Sequence, residues 1–166
     1  LLRPITAAIK ATPVASFIIL VLLWFSGKNL SVIISMLMVF PVIYMNVLEG
    51  IRSADEELLE MAQVFILSVS KKLLYIYLPA VAPFFVSACS VSLGLCWKSG
   101  IAAEVIGTPD GSIGAVFYQA KIFLQTSELL AWTVVVVAVS VAFEKLFMFL
   151  LRLVLKKLKM EDVFCL

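Results

Sequence analysis

The segment at residues 60–79 reads EMAQVFILSVSKKLLYIYLP. It lies in one of the few strongly charged segments of the chain, and apolar runs of membrane-spanning length flank it. A helix that crosses the hydrocarbon core of a bilayer takes about 20 residues. The stretch therefore predicts a polar helix held between spans at a membrane face, where it can dock onto another surface.

The composition is that of an integral membrane protein. Hydrophobic residues make up 63% of the 166 positions and the mean hydropathy is +1.13, whereas soluble domains are about 45–50% apolar. The net charge of +2 is too small to indicate a nucleic-acid partner. Histidine is absent, which removes imidazole metal ligands and His-based catalysis. We expect a protein that is not an enzyme, with no catalytic residue, metal site or cofactor in this chain.

Four segments are long and apolar enough to span a bilayer, at about 5–26, 30–48, 73–97 and 129–151. Pro41 lies inside the second, where it predicts a kink rather than a break. The expected fold is all-α, a polytopic helical bundle forming one transmembrane domain over the whole chain. Because the chain begins without an initiator methionine or signal peptide, we expect one or more N-terminal spans to be missing.

The distribution of Lys and Arg orients these four spans. Positively charged residues accumulate on the cytoplasmic side of membrane proteins. Three fall on one side of the predicted bundle, Lys28, Lys98 and Lys121, while Lys145 lies within the last span. Nine fall on the other side, which is therefore expected to be cytoplasmic along with the loop at 49–72: Arg3, Lys10, Arg52, Lys71, Lys72, Arg152, Lys156, Lys157 and Lys159.

An amphipathic helix is predicted at about 54–68 in that loop. Ser53 to Glu56 fits a capping box, and the acidic residues that follow suit the first turn of a helix. Its apolar stripe is too short to span a membrane, so it must be covered either by the chain's own helices or by a groove in a soluble partner. Both alternatives stay open on periodicity alone. The stripe consists of Leu58, Met61, Ala62 and Phe65.

Within 60–79, Glu60-Met61-Ala62 is followed after three residues by Ile66 and after nine more by Ile76-Tyr77-Leu78-Pro79. This spacing resembles the Glu-Ala-Ala loop of ABC importer permeases, Glu-Ala-Ala-x3-Gly-x9-Ile-x-Leu-Pro. The resemblance implies a coupling helix that sits in a cleft of a cytoplasmic ATPase. The residues assigned to this coupling are Leu58, Glu60, Met61, Ala62, Phe65, Ile76, Leu78 and Pro79, of which Leu78 and Pro79 are expected to fix the helix exit.

Two positions depart from the family pattern. Met61 replaces an alanine, which a packed stripe tolerates. Ile66 replaces the glycine, and a β-branched residue with positive φ would be a conformational outlier. We therefore expect the bend after the helix to be made elsewhere, at Ser68-Val69-Ser70.

Short motifs along the rest of the chain resemble the nitrate/sulfonate/taurine subgroup of these permeases. The resemblance implies a permease subunit in the plasma membrane that carries a small anionic or polar solute. Its implied partners are a cytoplasmic ATP-binding subunit, which binds the ATP, a second permease copy and an extracytoplasmic solute-binding protein. The motifs are Lys10 to Pro13, Leu23 to Phe25, Phe40-Pro41, Gly50 to Ser53, Ala103-Glu104, Gly107, Gly111 to Gly114 and Ala120.

Charged residues near the later spans are candidates for the translocation path. Lys98 and Glu104 lie at the expected outer end of the third span, where a cation could attract an anionic substrate or simply reach water. An ion pair between them is one arrangement left open. A short extracytoplasmic helix is predicted at about 112–124. Glu144 and Lys145 are placed nearer the cytoplasmic end of the last span, with an interfacial, structural role.

The sequence thus predicts the permease subunit of an ATP-driven importer. ATP hydrolysis belongs to a separate chain, since no phosphate-binding loop is present. The alternative is a self-sufficient secondary transporter or channel subunit, in which the helix at 54–68 lies on the membrane surface. The substrate itself is not determined by the sequence.

Overall fold

The computed structural model describes residues 3–25 and 27–157, and all regular structure within them is helical. The predicted all-α class is confirmed. Lys159 lies outside the described residues, as does position 26 at the end of the first predicted span. The helices are α1 (Arg3–Ala11), α2 (Val14–Trp24), α3 (Leu30–Arg52), α4 (Glu56–Val64), α5 (Val69–Lys72), α6 (Leu78–Gly107), α7 (Ile113–Ile122) and α8 (Thr126–Lys157), with a 3₁₀ turn at Gly27–Asn29 and a π-helical turn at Leu73–Tyr77.

Three of the described helical segments are long and apolar enough to cross a membrane: Leu30–Arg52, Val69–Gly107 and Thr126–Lys156. They include the second, third and fourth predicted spans. Each exceeds its predicted span, and α6 continues to Gly107 rather than ending near residue 97.

The first predicted span is not one straight helix. α1 and α2 meet at a bend of 102°, so they form either a broken span or a re-entrant pair. Pro13 has no N–H to continue the helix and disfavours helical geometry at Thr12. The backbone N–H and the hydroxyl of Thr12 both donate to the carbonyl oxygen of Ala8, at 3.1 and 2.8 Å, and so complete the last turn of α1.

Pro41 does not break α3, which runs continuously from Leu30 to Arg52. The Pro41 side chain is fully buried. Continuity through a proline requires that the freed carbonyl group be accommodated within the fold. The prediction that the helix is not broken at Pro41 is confirmed.

The contacts divide the chain into two compact units, and the long helices α3, α6 and α8 contribute residues to both. Among the described residues, unit 1 contains 3–25, 27–41 and Ser92–Lys145. Unit 2 contains Val42–Val91 and 146–157. α1, α2 and α7 therefore belong to unit 1, while α4 and α5 belong to unit 2.

Unit 1 is built on a close approach of α3 and α6. The Ser35 hydroxyl donates to the carbonyl oxygen of Cys96 at 3.1 Å. A Cβ added at Gly100 would lie 3.0 Å from that hydroxyl oxygen, so the glycine permits the approach. α2 packs over this pair through a buried cluster formed by Ile18, Leu30, Ile34 and Ala103.

Unit 2 has two small clusters that hold the ends of its helices. One joins α4 to the π-helical turn through Ala54, Ala62 and Ile76. The other joins α6 to α8 through Ala82 and Leu155, with Leu78 packed against them. Gly50 lets α3 approach α6, because a Cβ there would lie only 2.8 Å from the Cα of Val81.

Candidate functional site

α4 starts at Glu56, with Asp55 as its N-cap. The Asp55 carboxylate accepts a hydrogen bond from the backbone N–H of Glu57 at 2.9 Å, and the two glutamates add negative charge where the helix dipole favours it. Ser53 is not the cap, because its hydroxyl donates to the carbonyl oxygen of Gly50 at 3.0 Å, within the last turn of α3. The predicted capping box was therefore wrong, and the helix starts two residues later than expected.

One side of α4 is packed on the protein's own chain. Ala62 has no exposed surface and lies in the cluster with Ala54 and Ile76, both of which are also buried. This contact fixes the position of α4 relative to the π-helical turn. The partly buried residues around it are Leu59, Leu67, Tyr77 and Ala80.

The other side of α4 is an exposed apolar surface, formed by Leu58, Met61 and Phe65 and called here the α4 face. Their exposed fractions are 42%, 50% and 70%. The predicted stripe is thus divided, with Ala62 against the chain's own residues and the other three members free of such cover. The expectation that Ala62 contacts a partner directly is corrected, since a fully buried methyl group positions the helix instead.

Two further residues of α4 are exposed, Val64 and Glu60, and the sequence analysis missed Val64. Val64 is 79% exposed and lies three residues after Met61, so a pattern counted from Met61 rather than Ala62 would have found it. Glu60, the first residue of the family signature, is also exposed. The surface therefore carries both apolar and acidic groups.

α4 is followed by a turn at Ile66, which adopts a φ of +51°. The N–H of Leu67 donates to the carbonyl oxygen of Ala62 and that of Ile66 to Gln63, each at 3.0 Å. This is a helix end with a left-handed residue, a geometry that glycine ordinarily provides. The prediction of a different bend at Ser68 to Ser70 was wrong. Leu67, the next residue, packs against the Ala62 cluster, and a hydrophobic contact of this kind commonly accompanies such helix ends.

The chain leaves this turn through α5 and the π-helical turn, which runs directly into Pro79. Leu78 N–H donates to the carbonyl oxygen of Leu73, five residues earlier. A proline clashes with the carbonyl four residues before it, and a π-helical turn changes the pairing there. Leu78 is partly buried in the Ala82 cluster, whereas Pro79 is exposed.

In unit 1, Glu104 is bonded to the start of α7. Its Oε2 accepts a hydrogen bond from the backbone N–H of Gly114 at 3.1 Å. A Cβ at Gly114 would overlap the Cβ of Glu104, so only glycine permits the contact. Ser112 caps the same helix by accepting from the N–H of Ala115 at 3.0 Å. Glu104 therefore holds α7 against α6.

Lys98 and Glu104 border two neighbouring spaces, whose walls both include Trp97 and Ile101. Glu104 borders a space of about 220 Å³ with the hydroxyl groups of Ser31 and Ser35. Lys98 borders a separate space of about 300 Å³ together with Glu144. The two residues proposed for the translocation path thus border different members of this pair of spaces, and Lys98 shares its space with Glu144, eighteen residues into α8.

α7 occupies Ile113–Ile122, within the range predicted for a short helix. Ala120 is buried, while Ile113, Val116 and Phe117 are partly buried. This apolar stripe is thus the packed side of α7.

In the described part of the chain, no group of three or more His, Cys, Asp or Glu side chains could hold a metal ion. Cys89 and Cys96 are free thiols on α6. Two candidate surfaces for recognition are the α4 face in unit 2 and the charged side chains that border the two spaces in unit 1.

Comparison with known families identifies the family to which these long apolar helices belong. The profile of the binding-protein-dependent transport system inner membrane component matches residues 1–160. The chain belongs to this family. Its members are membrane components of transport systems rather than enzymes, and the long apolar helices are those of a multi-pass inner membrane protein.

Individual family members with similar sequences are transport permeases. The aliphatic sulfonates transport permease protein SsuC of Escherichia coli (strain K12) is 37% identical over 135 residues, covering 79% of this chain and 48% of the relative. SsuC of Bacillus subtilis (strain 168) is 29% identical over 141 residues, covering 84% and 50%. The taurine transport system permease protein TauC of E. coli is 27% identical over 145 residues, covering 87% and 52%. The chain thus spans about half the length of the curated relatives it matches.

Proposed function

We propose that the protein is the permease subunit of an ATP-driven importer and that the α4 face docks onto a separate ATP-binding subunit. The observation that carries this proposal is the division of α4 into two sides. Ala62 anchors the helix to the chain, while Leu58, Met61 and Phe65 remain exposed. An anchored helix with an uncovered apolar side suits insertion into a groove, and it can transmit motion as a rigid element.

The proposed substrate is a small anionic or polar solute of the nitrate, sulfonate or taurine type, delivered by a solute-binding protein. The names of the similar permeases support this class, since they specify aliphatic sulfonates and taurine. The family description names binding-protein-dependent transport. ATP would be bound in the partner subunit, so the permease itself needs no cofactor.

The proposed arrangement places α4 and the C-terminus in the cytoplasm and pairs the permease with a second copy. The excess of Lys and Arg around α4 and at the C-terminal end of the chain, from Arg152 onward, supports the orientation. The pairing is supported by α8, which has a large uncovered surface. None of the residues in its most apolar part is buried within the described chain. Lipid and a second permease copy are the expected cover for such a helix.

The docking proposal is tested with the full-length permease and the ATP-binding subunit expressed with it. Met61→Asp and Phe65→Asp place a carboxylate in the proposed interface, and desolvating it without a partner should weaken association at least about tenfold. The matched control is Gln63→Asp, an exposed position of α4 outside the α4 face. Copurification of the two subunits and ATPase activity report the effect.

Site-specific crosslinking is a second test, and it can disprove the docking proposal. Met61→Cys and Phe65→Cys should crosslink to the ATP-binding subunit. Crosslinks only to lipid or to the permease itself, with normal transport, would disprove the docking role. ATP-independent uptake by the permease alone would favour the secondary transporter instead.

A further inference from the structure

An apolar space of about 380 Å³ lies in unit 2, beside the end of α3 and the start of α6. Its wall is formed by Ile51 of α3, by Leu73 and Tyr77 of the π-helical turn, and by Leu78 and Val81 of α6. Ile51 is 43% exposed and Leu73 is 60% exposed. The space is therefore an open groove, called here the π-turn groove.

The π-turn groove begins where a close contact between α3 and α6 ends. A Cβ at Gly50 would lie 2.8 Å from the Cα of Val81, so the two backbones leave no room at that level. Ile51, the next residue of α3, already lines the groove. On the other wall, the N–H of Leu78 donates to the carbonyl oxygen of Leu73, and both residues border the groove. π-helical turns of this kind are frequent at functional sites.

Basic side chains adjoin both walls of the groove. Arg52 directly follows Ile51 and is exposed, while Lys72 directly precedes Leu73 and is partly buried. Lys71, the residue before Lys72, is exposed as well. Consecutive Cα atoms are about 3.8 Å apart, and the long basic side chains can cover apolar surface while their charged ends reach water. The groove thus combines an apolar wall with a cationic mouth.

The tyrosines of the π-helical turn indicate that this mouth lies at a membrane interface. Tyr75 is 70% exposed, and Tyr77 is partly buried in the groove wall. Tyrosine is enriched where a membrane meets water, and Lys and Arg are enriched on the cytoplasmic side. In the orientation proposed above, the mouth faces the headgroups of the cytoplasmic leaflet, where anionic lipids attract basic segments.

We propose that the π-turn groove binds one anionic phospholipid, with an acyl chain along the apolar wall and the phosphate near Arg52 and Lys72. A water molecule occupies about 30 Å³ in the liquid and a methylene group is of similar size, so the groove holds about a dozen carbons of one chain. Of the acidic residues within 42–91, only Glu49 lies outside α4 and its N-cap. A choline headgroup would bring a second cation to the mouth, whereas a glycerol headgroup would not. The inference rests on the proposed orientation and goes beyond it by assigning a lipid ligand.

Tyr77 connects the proposed lipid site to α4. Its side chain lines the groove and also packs against the Ala62 cluster, which anchors α4. Leu58, Met61 and Phe65, which form the α4 face, are not part of the groove wall. A lipid in the groove would therefore contact the anchor of α4 and leave the docking surface free.

The test uses the full-length permease with its ATP-binding subunit in lipid bilayers, with every native tryptophan replaced by phenylalanine. Leu73→Trp places a single tryptophan in the groove. Leu74→Trp is the matched control, because Leu74 is 50% exposed but does not line the groove. The quenching of each tryptophan is measured with phosphatidylglycerol and with phosphatidylcholine that carry brominated acyl chains.

At Leu73→Trp, the relative affinity for phosphatidylglycerol over phosphatidylcholine should be at least about fivefold, since one basic side chain near a membrane surface gives a preference of about that size. At Leu74→Trp the two lipids should quench about equally. Substituting glutamine for Arg52, Lys71 and Lys72 together should lower the ratio at Leu73→Trp to the control value.

Lys10→Gln and Lys121→Gln are the control substitutions for the three cations, because both lysines are exposed and belong to unit 1. Neither should change the ratio at Leu73→Trp. Size-exclusion chromatography in detergent verifies that each variant is folded.

Three outcomes overturn the proposal. Equal ratios at the two tryptophan positions would identify an ordinary lipid contact, and a preference that survives loss of the three cations would exclude the assigned headgroup site. No quenching of Leu73→Trp would show that protein covers the groove. Failure here differs from failure of the docking proposal, because a Met61→Asp permease that loses its ATP-binding subunit should keep its preference for phosphatidylglycerol.

Discussion

α4 and α7 are two short helices with the same kinds of N-cap and C-terminal turn, but different tertiary contacts fix their positions. Each has a side-chain N-cap, Asp55 in α4 and Ser112 in α7. Each ends in a left-handed residue other than glycine, Ile66 with φ +51° and Leu124 with φ +53°. At both ends, the following N–H bonds to the carbonyl five residues earlier, at 3.0 Å after α4 and 2.9 Å after α7.

The difference lies in the tertiary contacts. α7 is fixed at its start by the Glu104 carboxylate and by a backbone approach that only Gly114 allows. α4 is fixed near its middle by Ala62, and its apolar side stays exposed. The same caps and turns thus produce one helix that is clamped in place and one that is anchored on a single side. Only the second leaves a surface suited to a partner.

The largest expected effect comes from the contact that clamps α7. In Gly114→Ala, the new Cβ would overlap Glu104 and lie 2.5 Å from the backbone nitrogen of Val105, which cannot move aside as a flexible side chain can. We expect the free energy of unfolding to fall by about 1–3 kcal/mol. Thermal unfolding in detergent measures the loss.

The control for that substitution is Gly94→Ala on α6, where nothing lies within 4 Å of the added Cβ. It should be neutral or slightly stabilising, because alanine favours a helix over glycine. Equal midpoints for the two variants would show that α7 is not held by this close approach.

A smaller effect is expected at the two left-handed turns. Ile66→Gly and Leu124→Gly should each raise the free energy of unfolding by about 1 kcal/mol, since glycine adopts positive φ without strain. Little burial is lost, because the side chains are 89% and 87% exposed. The midpoint of thermal unfolding in detergent measures both gains.

Val69→Gly is the control for the turns, because Val69 is 77% exposed but has no positive φ, and it should lower stability. A loss of stability in Ile66→Gly would mean that the turn is not strained. Ile66→Gly and Leu124→Gly also test whether only α4 contacts a partner. Ile66→Gly alters a residue beside the α4 face, so it should change association with the ATP-binding subunit, whereas Leu124→Gly should not.

The smallest effect concerns the acidic groups at the two helix starts. Glu104→Gln keeps an oxygen for the Gly114 N–H but loses the charge that the helix dipole favours, a cost of about 0.3–1 kcal/mol. Asp55→Asn should cost less, because asparagine is about as good an N-cap as aspartate. Thermal midpoints compare the two. If Asp55→Asn lowered the thermal midpoint more than Glu104→Gln, then α4 rather than α7 would be the helix that depends more on its acidic contact.

Local patterns were sufficient for part of the fold and of the site. The apolar runs predicted the long helices, and the acidic cluster after Ser53 predicted a helix close to where α4 lies. The same patterns misplaced the cap, because they could not show that the Ser53 hydroxyl is bonded to Gly50. They also misplaced the turn, because the local preference of isoleucine argues against the positive φ that Ile66 adopts beside the packed Leu67.

Pairings between distant residues had no local signal at all. The Glu104 carboxylate accepts a hydrogen bond from Gly114, ten residues later. Lys98 on α6 and Glu144 on α8 line the same cavity. Periodicity predicts which residues share a face of one helix, but not which helix that face approaches. Ala62 shows the same limit, because its stripe was evident while its burial was not.

By itself, the sequence determined that this protein is helical and membrane-embedded, that a short amphipathic helix interrupts its spans, and that the 60–79 stretch resembles a permease signature. Those properties depend on composition and on spacing within single segments. Only the tertiary structure decided which side of α4 is exposed, how Ile66 turns, and which charges line one cavity. These depend on contacts between segments far apart in the chain, and burial and close approach exist only once the segments have packed.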